Sequence, residues 1–158
     1  MPGVPVSVYF HVPGTPKPQG SKRGYINPHT NKVAMVESGG QPLHDWRGDV
    51  KRFAVDAQGE TPMLEGPVGL SLRFELQKPK SHGKKKTEPI SRPDLDKLAR
   101  AAIDALTSVC FKDDAQIVYL MLTKGWAVNR GPGLWVNVWD LAATVPFLGG
   151  GAAVVSYR

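Results

Sequence analysis

The segment from Asp94 to Thr107 has two distinct faces when its residues are placed 100° apart on a helix. Small and aliphatic residues cover one side: Leu95, Leu98, Ala99, Ala102, Ile103 and Leu106. Polar and charged residues cover the other side: Asp96, Lys97, Arg100, Asp104 and Thr107. The segment therefore predicts an amphipathic helix with one buried face. Because it lies between two apolar, strand-like runs, the chain is constrained to pack this helix on a sheet.

Four other segments predict β-strands, because apolar residues alternate along them or fill them. They are "PVSVYFHV", "VGLSLRFEL", "AQIVYLMLTKGW" and "GLWVNVWDL". The third is apolar on both faces, which predicts a central position in the sheet. Short runs around Tyr25 and Val33 predict a hairpin with "NPHTN" as its turn.

A second helix is predicted in "QPLHDWRGDVKRFAVDAQ", where Leu43, Trp46, Val50 and Phe53 recur at helical spacing and Gly59 can end the helix. The elements therefore follow the order strand, hairpin, helix, strand, helix, strand, strand. This order predicts an α/β fold of the α+β-like kind, a small mixed β-sheet with two main helices packed on it. We expect one domain over residues 1–141. Residues 142–158 contain three consecutive glycines, which predicts a peripheral or partly disordered tail.

The composition suits one globular domain of 158 residues with an apolar fraction of 41%. There is no signal-peptide pattern and no apolar run near the roughly 20 residues that span a bilayer. Cys110 is the single cysteine, so no intramolecular disulfide is expected. These features predict a cytoplasmic protein without membrane contact. The net charge of +6 and the pI of about 9.6 indicate a polyanionic partner.

Much of the positive charge lies in two loops. The segment "QKPKSHGKKKTEPISR" contains one acid, Glu88, and "PGTPKPQGSKRGYINP" is rich in proline and glycine. Such a loop can simply be solvated and mobile. It can also contact the phosphates of a nucleic acid, which attract lysine and arginine regardless of sequence. The candidate DNA-binding residues are Lys17, Lys22, Arg23, Lys84, Lys85, Lys86, Arg92 and Lys97.

Two aspartate pairs flank the amphipathic helix. Asp94 and Asp96 stand at its start, and Asp113 and Asp114 follow its end. Neighbouring like charges are unfavourable unless a cation or a proton lies between them. We expect the reversal from helix to strand to bring the second pair back towards the first. Clustered carboxylates with few histidines are the ligands that magnesium or manganese prefers. Zinc is disfavoured, because Cys110 is alone and the four histidines have no ligand spacing.

A divalent ion held by these carboxylates can activate water and polarise a phosphoryl oxygen. Arg100, one turn past Asp96, can add positive charge near the scissile phosphate. Structural interpretations stay open for each acid. Asp94 could be only a helix cap, Asp96 could pair with Arg100, and Asp104 could be part of a solvated face. The segment "KDDA" could be only a turn into the next strand.

Other Asp-x-Asp enzymes fit less well. Haloacid-dehalogenase phosphatases and Toprim domains place this motif after an apolar strand, whereas here the polar, proline-broken "KTEPISRP" precedes it. Glycosyltransferases need a larger nucleotide-binding domain. An HNH nuclease needs a histidine base at a hairpin, and only His29 in "NPHTN" is comparable. A non-catalytic nucleic-acid-binding module remains an alternative, and it predicts binding that is indifferent to magnesium and to Asp96.

The motifs "DLDKLAR", "IDAL" and "KDDAQI" follow one another in this chain. In order and spacing they resemble the RusA-type Holliday junction resolvase family, whose pattern is D-x-D-N-x-x-K, then DAL, then DD-x-Q-[IV]. The segment "VPGTPKPQGSKR" is similar to the family's glycine-proline-basic loop. The resemblance extends from about residue 6 to the strand ending near Asp140.

This resemblance implies a homodimeric, magnesium-dependent endonuclease, with manganese as a substitute ion and no organic cofactor. Such enzymes recognise four-way DNA junctions, nick two opposing strands symmetrically in recombination and repair, and are often encoded by bacteria, phages or prophages. A less selective nuclease on the same scaffold remains an alternative.

The resemblance also implies roles for individual residues. The implied catalytic residues are Asp94, Asp96, Asp114 and Arg100. The implied metal ligands are Asp94, Asp96 and one member of the second pair, with Asp114 favoured over Asp113. Two residues depart from the family pattern: Lys97 replaces an asparagine and Arg100 replaces a catalytic lysine. Arginine keeps the positive charge but cannot donate a proton, so electrostatic stabilisation is the role that Arg100 can keep.

Overall fold

The computed structural model describes residues 7–143, which form six strands and two helices. The strands are β1 (Ser7–Pro13), β2 (Lys22–Ile26), β3 (Val33–Glu37), β4 (Val68–Leu76), β5 (Ile117–Trp126) and β6 (Gly133–Asp140). The helices are α1 (Gly40–Gln58) and α2 (Leu95–Leu106). The predicted mixed sheet with two helices is confirmed, and so is the hairpin, formed by β2 and β3. The predicted tail lies outside the described residues from position 144 onward.

The main sheet has four strands in the order β1-β6-β4-β5. Strand β4 pairs with β6 in antiparallel orientation and with β5 in parallel orientation. Parallel neighbours require a crossover connection, which α2 supplies here. Because β4 and β5 both run in one direction, α2 runs in the other, and its first turn lies at the carboxyl ends of both strands.

The predicted central position of β5 is wrong, because β5 is an edge strand. Its residues Val118, Tyr119, Leu120 and Met121 are 44–68% exposed. The interior strands are β6 and β4, whose buried apolar side chains belong to the core. An apolar residue on each face of a strand indicates that both faces could be covered, but it does not identify what covers them. A central strand and an edge strand that meets another chain have the same local pattern.

The hydrophobic core lies between one face of the sheet and the two helices. The sheet contributes alternate residues of β1, β4 and β6, which are almost fully buried: Val8, Phe10, Val12, Val68, Leu70, Leu72, Phe74, Leu134, Val136 and Val138. From α2, Leu98 and Leu106 are fully buried, and alanines fill the space between them. Burial of a leucine side chain stabilises the fold by about 1.5–3 kcal/mol. The amphipathic face predicted for this helix is therefore the face that holds it on the sheet.

One arginine connects the two helices and the hairpin. Arg47 on α1 donates hydrogen bonds to Glu37 at the end of β3, at 3.1 Å, and to Asp104 on α2, at 3.0 Å. The Arg47 side chain is only 25% exposed. Asp104 is therefore not simply a solvated helix residue, since it pairs with α1.

The single thiol supplies a test of this packing. Cys110 is 1% exposed, and burial raises its pKa to about 11. Because the pKa is raised, the reactive thiolate is scarcer at neutral pH than in an unfolded chain. We expect Ellman's reagent to label Cys110 in urea but not in the folded protein. Labelling at equal rates in both conditions would contradict the burial of this residue.

Candidate metal and nucleic-acid site

The first aspartate pair lies exposed at the start of α2. Asp94 occupies the N-cap position but makes no side-chain cap hydrogen bond, and its Oδ2 lies 3.4 Å from Lys97 Nζ. Asp96 in the first turn has no hydrogen bond or ion pair among residues 7–143, so the predicted alternative of an Asp96–Arg100 pair is not observed. The free N–H groups of a helix start favour negative charge. Both carboxylates can therefore accept a cation.

Lys124 fixes the loop that leads into this pair. Its Nζ atom donates hydrogen bonds of 2.9 Å to the carbonyl oxygens of Ser91 and Pro93. Lys124 is the one charged residue of β5. The position of Asp94 is therefore set by a strand that is 30 residues away along the chain.

The basic loop before α2 is anchored to the same strand. Trp126 Nε1 donates a 3.2 Å hydrogen bond to the carbonyl oxygen of Lys86, and the His82 ring contacts the Trp126 ring edge-on. The backbone of this loop is thus held in place, while the side chains of Lys84, Lys85 and Lys86 are exposed. The interpretation of the loop as simply mobile is not supported.

A second loop, which follows β1, also contacts the first turn of α2. Gln19 donates its backbone N–H to the carbonyl oxygen of Lys97, at 2.9 Å. The Gln19 side-chain oxygen is buried and has no hydrogen-bond partner. Buried amide oxygens are usually hydrogen-bonded, so this oxygen is a candidate acceptor for a group bound near Lys97.

The sheet register places three loops at one end of the molecule. Pro13 and Glu75 both pair with Gly133, and Glu75 also pairs with Gly125. The carboxyl ends of β1, β4 and β5 therefore meet beside the start of α2. The basic residues predicted to bind DNA and found around this end are Lys17, Lys84, Lys85, Lys86, Arg92 and Lys97. Lys22 and Arg23 instead lie on the exposed hairpin strand β2.

The second aspartate pair lies at the opposite end of α2, so the expectation that it returns towards the first pair is wrong. Asp113 and Asp114 precede β5, whereas Asp94 lies near Lys124, close to the end of that strand. The 12 residues of α2 span about 18 Å. Because a strand that follows a helix begins at the helix's carboxyl end, a short connection keeps the second pair there. Within residues 7–143, no group of three or more carboxylate, histidine or cysteine side chains is arranged to hold a metal ion.

The two members of the second pair differ in their hydrogen bonding. Asp113 caps a short 3₁₀ turn, Asp114–Gln116: its Oδ1 accepts from Ala115 N at 2.8 Å, and Gln116 Oε1 accepts from Asp113 N at 2.9 Å. The Asp114 carboxylate has no such partner in the described chain. It lies on an open depression of about 310 Å³ that Thr107 also lines. The turn interpretation therefore holds for Asp113, and Asp114 is the free carboxylate.

The chemistry of the first pair suits a magnesium ion. Magnesium keeps several water ligands and is often bound by one or two carboxylates together with substrate phosphates. Asp94 and Asp96 supply two exposed carboxylates beside cationic loops, of which only Asp94 has an ion pair, with Lys97, and this fits that requirement. Sequence reasoning missed Lys124 and Gln19. The signal for Lys124 was a lone charge in an apolar strand, and the signal for Gln19 was its place in the glycine-proline-basic loop.

Paired carboxylates at a helix start, surrounded by lysine-rich loops, are the arrangement expected of a metal-dependent nuclease. The chain belongs to the RusA family, because the family model described as Endodeoxyribonuclease RusA matches residues 13–138. It is accordingly an endodeoxyribonuclease of a Holliday junction resolvase family. The resemblance read from the motifs is confirmed.

A curated relative was also found. The chain is 32% identical over 127 residues to the uncharacterized protein YqaN of Bacillus subtilis (strain 168). This match covers 74% of the chain and 86% of YqaN. In the described part of the chain, no helix has the length and apolarity needed to cross a membrane.

Replacement of Lys124 tests its role in positioning the acids. Lys124→Met removes two hydrogen bonds from a charged, partly buried donor, which should lower the free energy of unfolding by about 2 kcal/mol. It should also reduce DNA cleavage, because the loop holding Asp94 loosens. Urea denaturation and a cleavage assay measure the two effects.

Arg52→Met is the matched control, because Arg52 pairs with Asp49 on the surface of α1 at 3.2 Å and exposed pairs contribute little. If Lys124→Met matches this control in stability and activity, Lys124 does not position the site.

Proposed function

We propose that this protein is a magnesium-dependent homodimeric endonuclease that resolves four-way DNA junctions by paired symmetric nicks during recombination and repair. The observation that carries the proposal is the exposed pair Asp94 and Asp96 beside the basic loops, in which Asp96 has no partner among residues 7–143 and Asp94 contacts only Lys97. Membership of the RusA family supports junction DNA as the substrate. Manganese substitutes for magnesium, and no organic cofactor takes part. The nuclease domain spans residues 1–141, which include the matched residues 13–138, and the protein acts on DNA in the cytoplasm.

The residues around the first aspartate pair have different roles in the proposed reaction. Asp94 and Asp96 hold the divalent ion. When bound there, the ion supplies Lewis-acid polarisation of the phosphate and activation of the attacking water. Arg100 lies one turn from Asp96, is exposed and has no ion pair among residues 7–143, so its guanidinium is free to stabilise charge on the phosphate. The lysines of the loops hold the DNA backbone as point charges.

Asp114 can join this site only from a second copy of the chain. The length of α2 separates it from Asp94 within one chain, whereas its free carboxylate supports a functional role. Strand β5 offers the surface for a second copy, because its apolar side chains and one row of backbone groups are uncovered. Unprotected apolar edges favour pairing with another strand.

The geometry of such a pairing joins the two acidic ends. If two β5 strands pair in antiparallel orientation, the Lys124 end of one strand lies beside the Ile117 end of the other. Asp94 and Asp96 of one chain then face the partner subunit's Asp114. The dimer would carry two composite sites related by a two-fold axis, which matches the two opposing strands of a four-way junction.

Single substitutions test the assignment of the acids. Asp96→Asn should abolish magnesium-dependent cleavage and leave junction binding intact or slightly tighter, because a ligand is lost and repulsion of phosphate falls. Asp114→Asn should be far more damaging than Asp113→Asn, since Asp113 only caps a turn. Cleavage of a labelled four-way junction and gel-shift binding are the measurements. Near-normal cleavage by Asp96→Asn would remove this residue from the site.

Mixing two inactive variants tests whether the sites are shared between subunits. In a heterodimer of Asp96→Asn and Asp114→Asn chains, shared sites leave one site with both changes and one with neither. We therefore expect unfolding and refolding the mixture together to restore single-strand nicking. Sites contained within one chain would both stay broken, and nicking would not return.

The control is a mixture of two differently tagged Asp96→Asn chains, which should stay inactive under either arrangement. Sedimentation of each preparation verifies that dimers have formed. A wild-type protein that sediments as a monomer while it cleaves junctions would exclude the dimer.

A further inference from the structure

The face of the main sheet that the helices leave uncovered carries an aromatic cluster. The Tyr9 and Trp135 rings stack with centroids 5.6 Å apart and planes inclined by 17°. His11 lies against Trp135 at 4.5 Å, and the Arg130 guanidinium lies 5.7 Å from the centre of the Trp135 ring. Tyr9 is 64% exposed. The core lies on the other side of the sheet, so packing of the helices does not explain this cluster.

The cluster forms one wall of a concave depression of about 440 Å³. Polar groups of two strands and one loop converge on the rest of it: Ser71, Arg73, Glu75, Asn129, Arg130 and Asn137. Arg73 donates a 2.9 Å hydrogen bond to Glu75, which keeps the carboxylate paired while the arginine side chain stays 64% exposed. An aromatic wall with a few convergent polar groups is typical of a site for a small ligand, and this volume lies in the usual range.

A glycine on the neighbouring strand makes room for the His11 ring beside Trp135. A Cβ atom at Gly133 would overlap the His11 ring. Burial lowers the pKa of His11, which favours the neutral form of the ring as an aromatic neighbour of Trp135. Its Nε2 atom is buried and has no hydrogen-bond partner.

We propose that this depression binds an unpaired nucleotide of a DNA strand, with the base stacked on Tyr9 and Trp135 and a phosphate beside Arg130. Aromatic side chains accept any base, because every base has a π-face, and arginine adds attraction to the backbone. The inference rests on the proposed function only in taking DNA as the ligand.

The location of the depression connects it to the first aspartate pair. Glu75 at its floor pairs with Gly125, the neighbour of Lys124, which holds the loop before Asp94. The two sites thus lie on opposite faces of the same end of the sheet. A DNA strand that bends around this end can contact both sites.

The chemistry of the lining argues against a second protein copy as the occupant. Charged residues are depleted at the centre of protein interfaces, whereas Arg73 and Glu75 lie inside this depression. The exposed, uncharged residues of β5 provide a surface better suited to a second copy. A concave polar site therefore favours the nucleotide.

The test compares two labelled strands of equal length and charge, an oligothymidylate and an abasic strand, by fluorescence anisotropy in EDTA. The wild-type protein should bind the oligothymidylate more tightly. Tyr9→Ala should lower that affinity about fivefold or more, towards the abasic value, because loss of one stacked base has this effect. Tyr9→Phe should bind like the wild type, since the ring remains. Tyr9 is largely exposed, so its truncation leaves the core intact.

Arg130→Ala provides an independent variant and should also weaken oligothymidylate binding. Its matched control is Arg52→Ala, because Arg52 lies over the Phe53 ring at 4.6 Å on α1, away from the sheet face.

Equal affinities for the two strands, or unchanged binding by Tyr9→Ala and Arg130→Ala, would overturn the inference. A shift of Tyr9→Ala to a smaller species in sedimentation would also overturn it, since a second copy would then cover this face. Oligothymidylate binding without junction cleavage would overturn the proposed function and keep this site.

Discussion

The parallel pairing of β4 with β5 is the constraint on which the arrangement of the site depends. Parallel strands need a crossover, and a crossover helix must run against both strands. The first turn of α2 therefore lies where β4 and β5 end, beside the loops that carry most of the lysines. Asp94 and Asp96 are exposed there without an arginine partner. If β4 and β5 were antiparallel, Lys124 near the end of β5 would lie at the other end of the sheet from the loop that it holds.

The same constraint divides the acids that a family motif groups together. Asp113 and Asp114 follow the carboxyl end of α2, so the two acid pairs lie at opposite ends of a helix about 18 Å long. Asp113 is used to cap a turn, which leaves Asp114 as the free carboxylate of that end. The exposed apolar edge of β5 lies between the two ends. We propose that a second copy of the chain pairs along this edge and brings the two ends together.

The surfaces of the sheet are specialised in different ways. The helix face is apolar and builds the core, the β5 edge is apolar and exposed, and the open face carries aromatic rings with paired charges. The first surface packs against the protein's own helices, and by their chemistry we propose a second copy for the β5 edge and a nucleotide for the open face. Two basic side chains connect separate segments by hydrogen bonds. Arg47 connects α1 to β3 and α2, and Lys124 connects β5 to the loop before α2.

The sequence by itself determined the elements that depend on local spacing. The helix starting after Asp94, the strand Val68–Leu76, the hairpin and the end of α1 at Gly59 all follow from periodicity and turn residues within a few positions. The motifs around the aspartates also identified the family. Only the tertiary structure decided that β5 is an edge strand, that Lys124 holds the Asp94 loop, and that the acid pairs lie apart. These features depend on which distant segments pair, and a repeat of two or 3.6 residues contains no information about its partner.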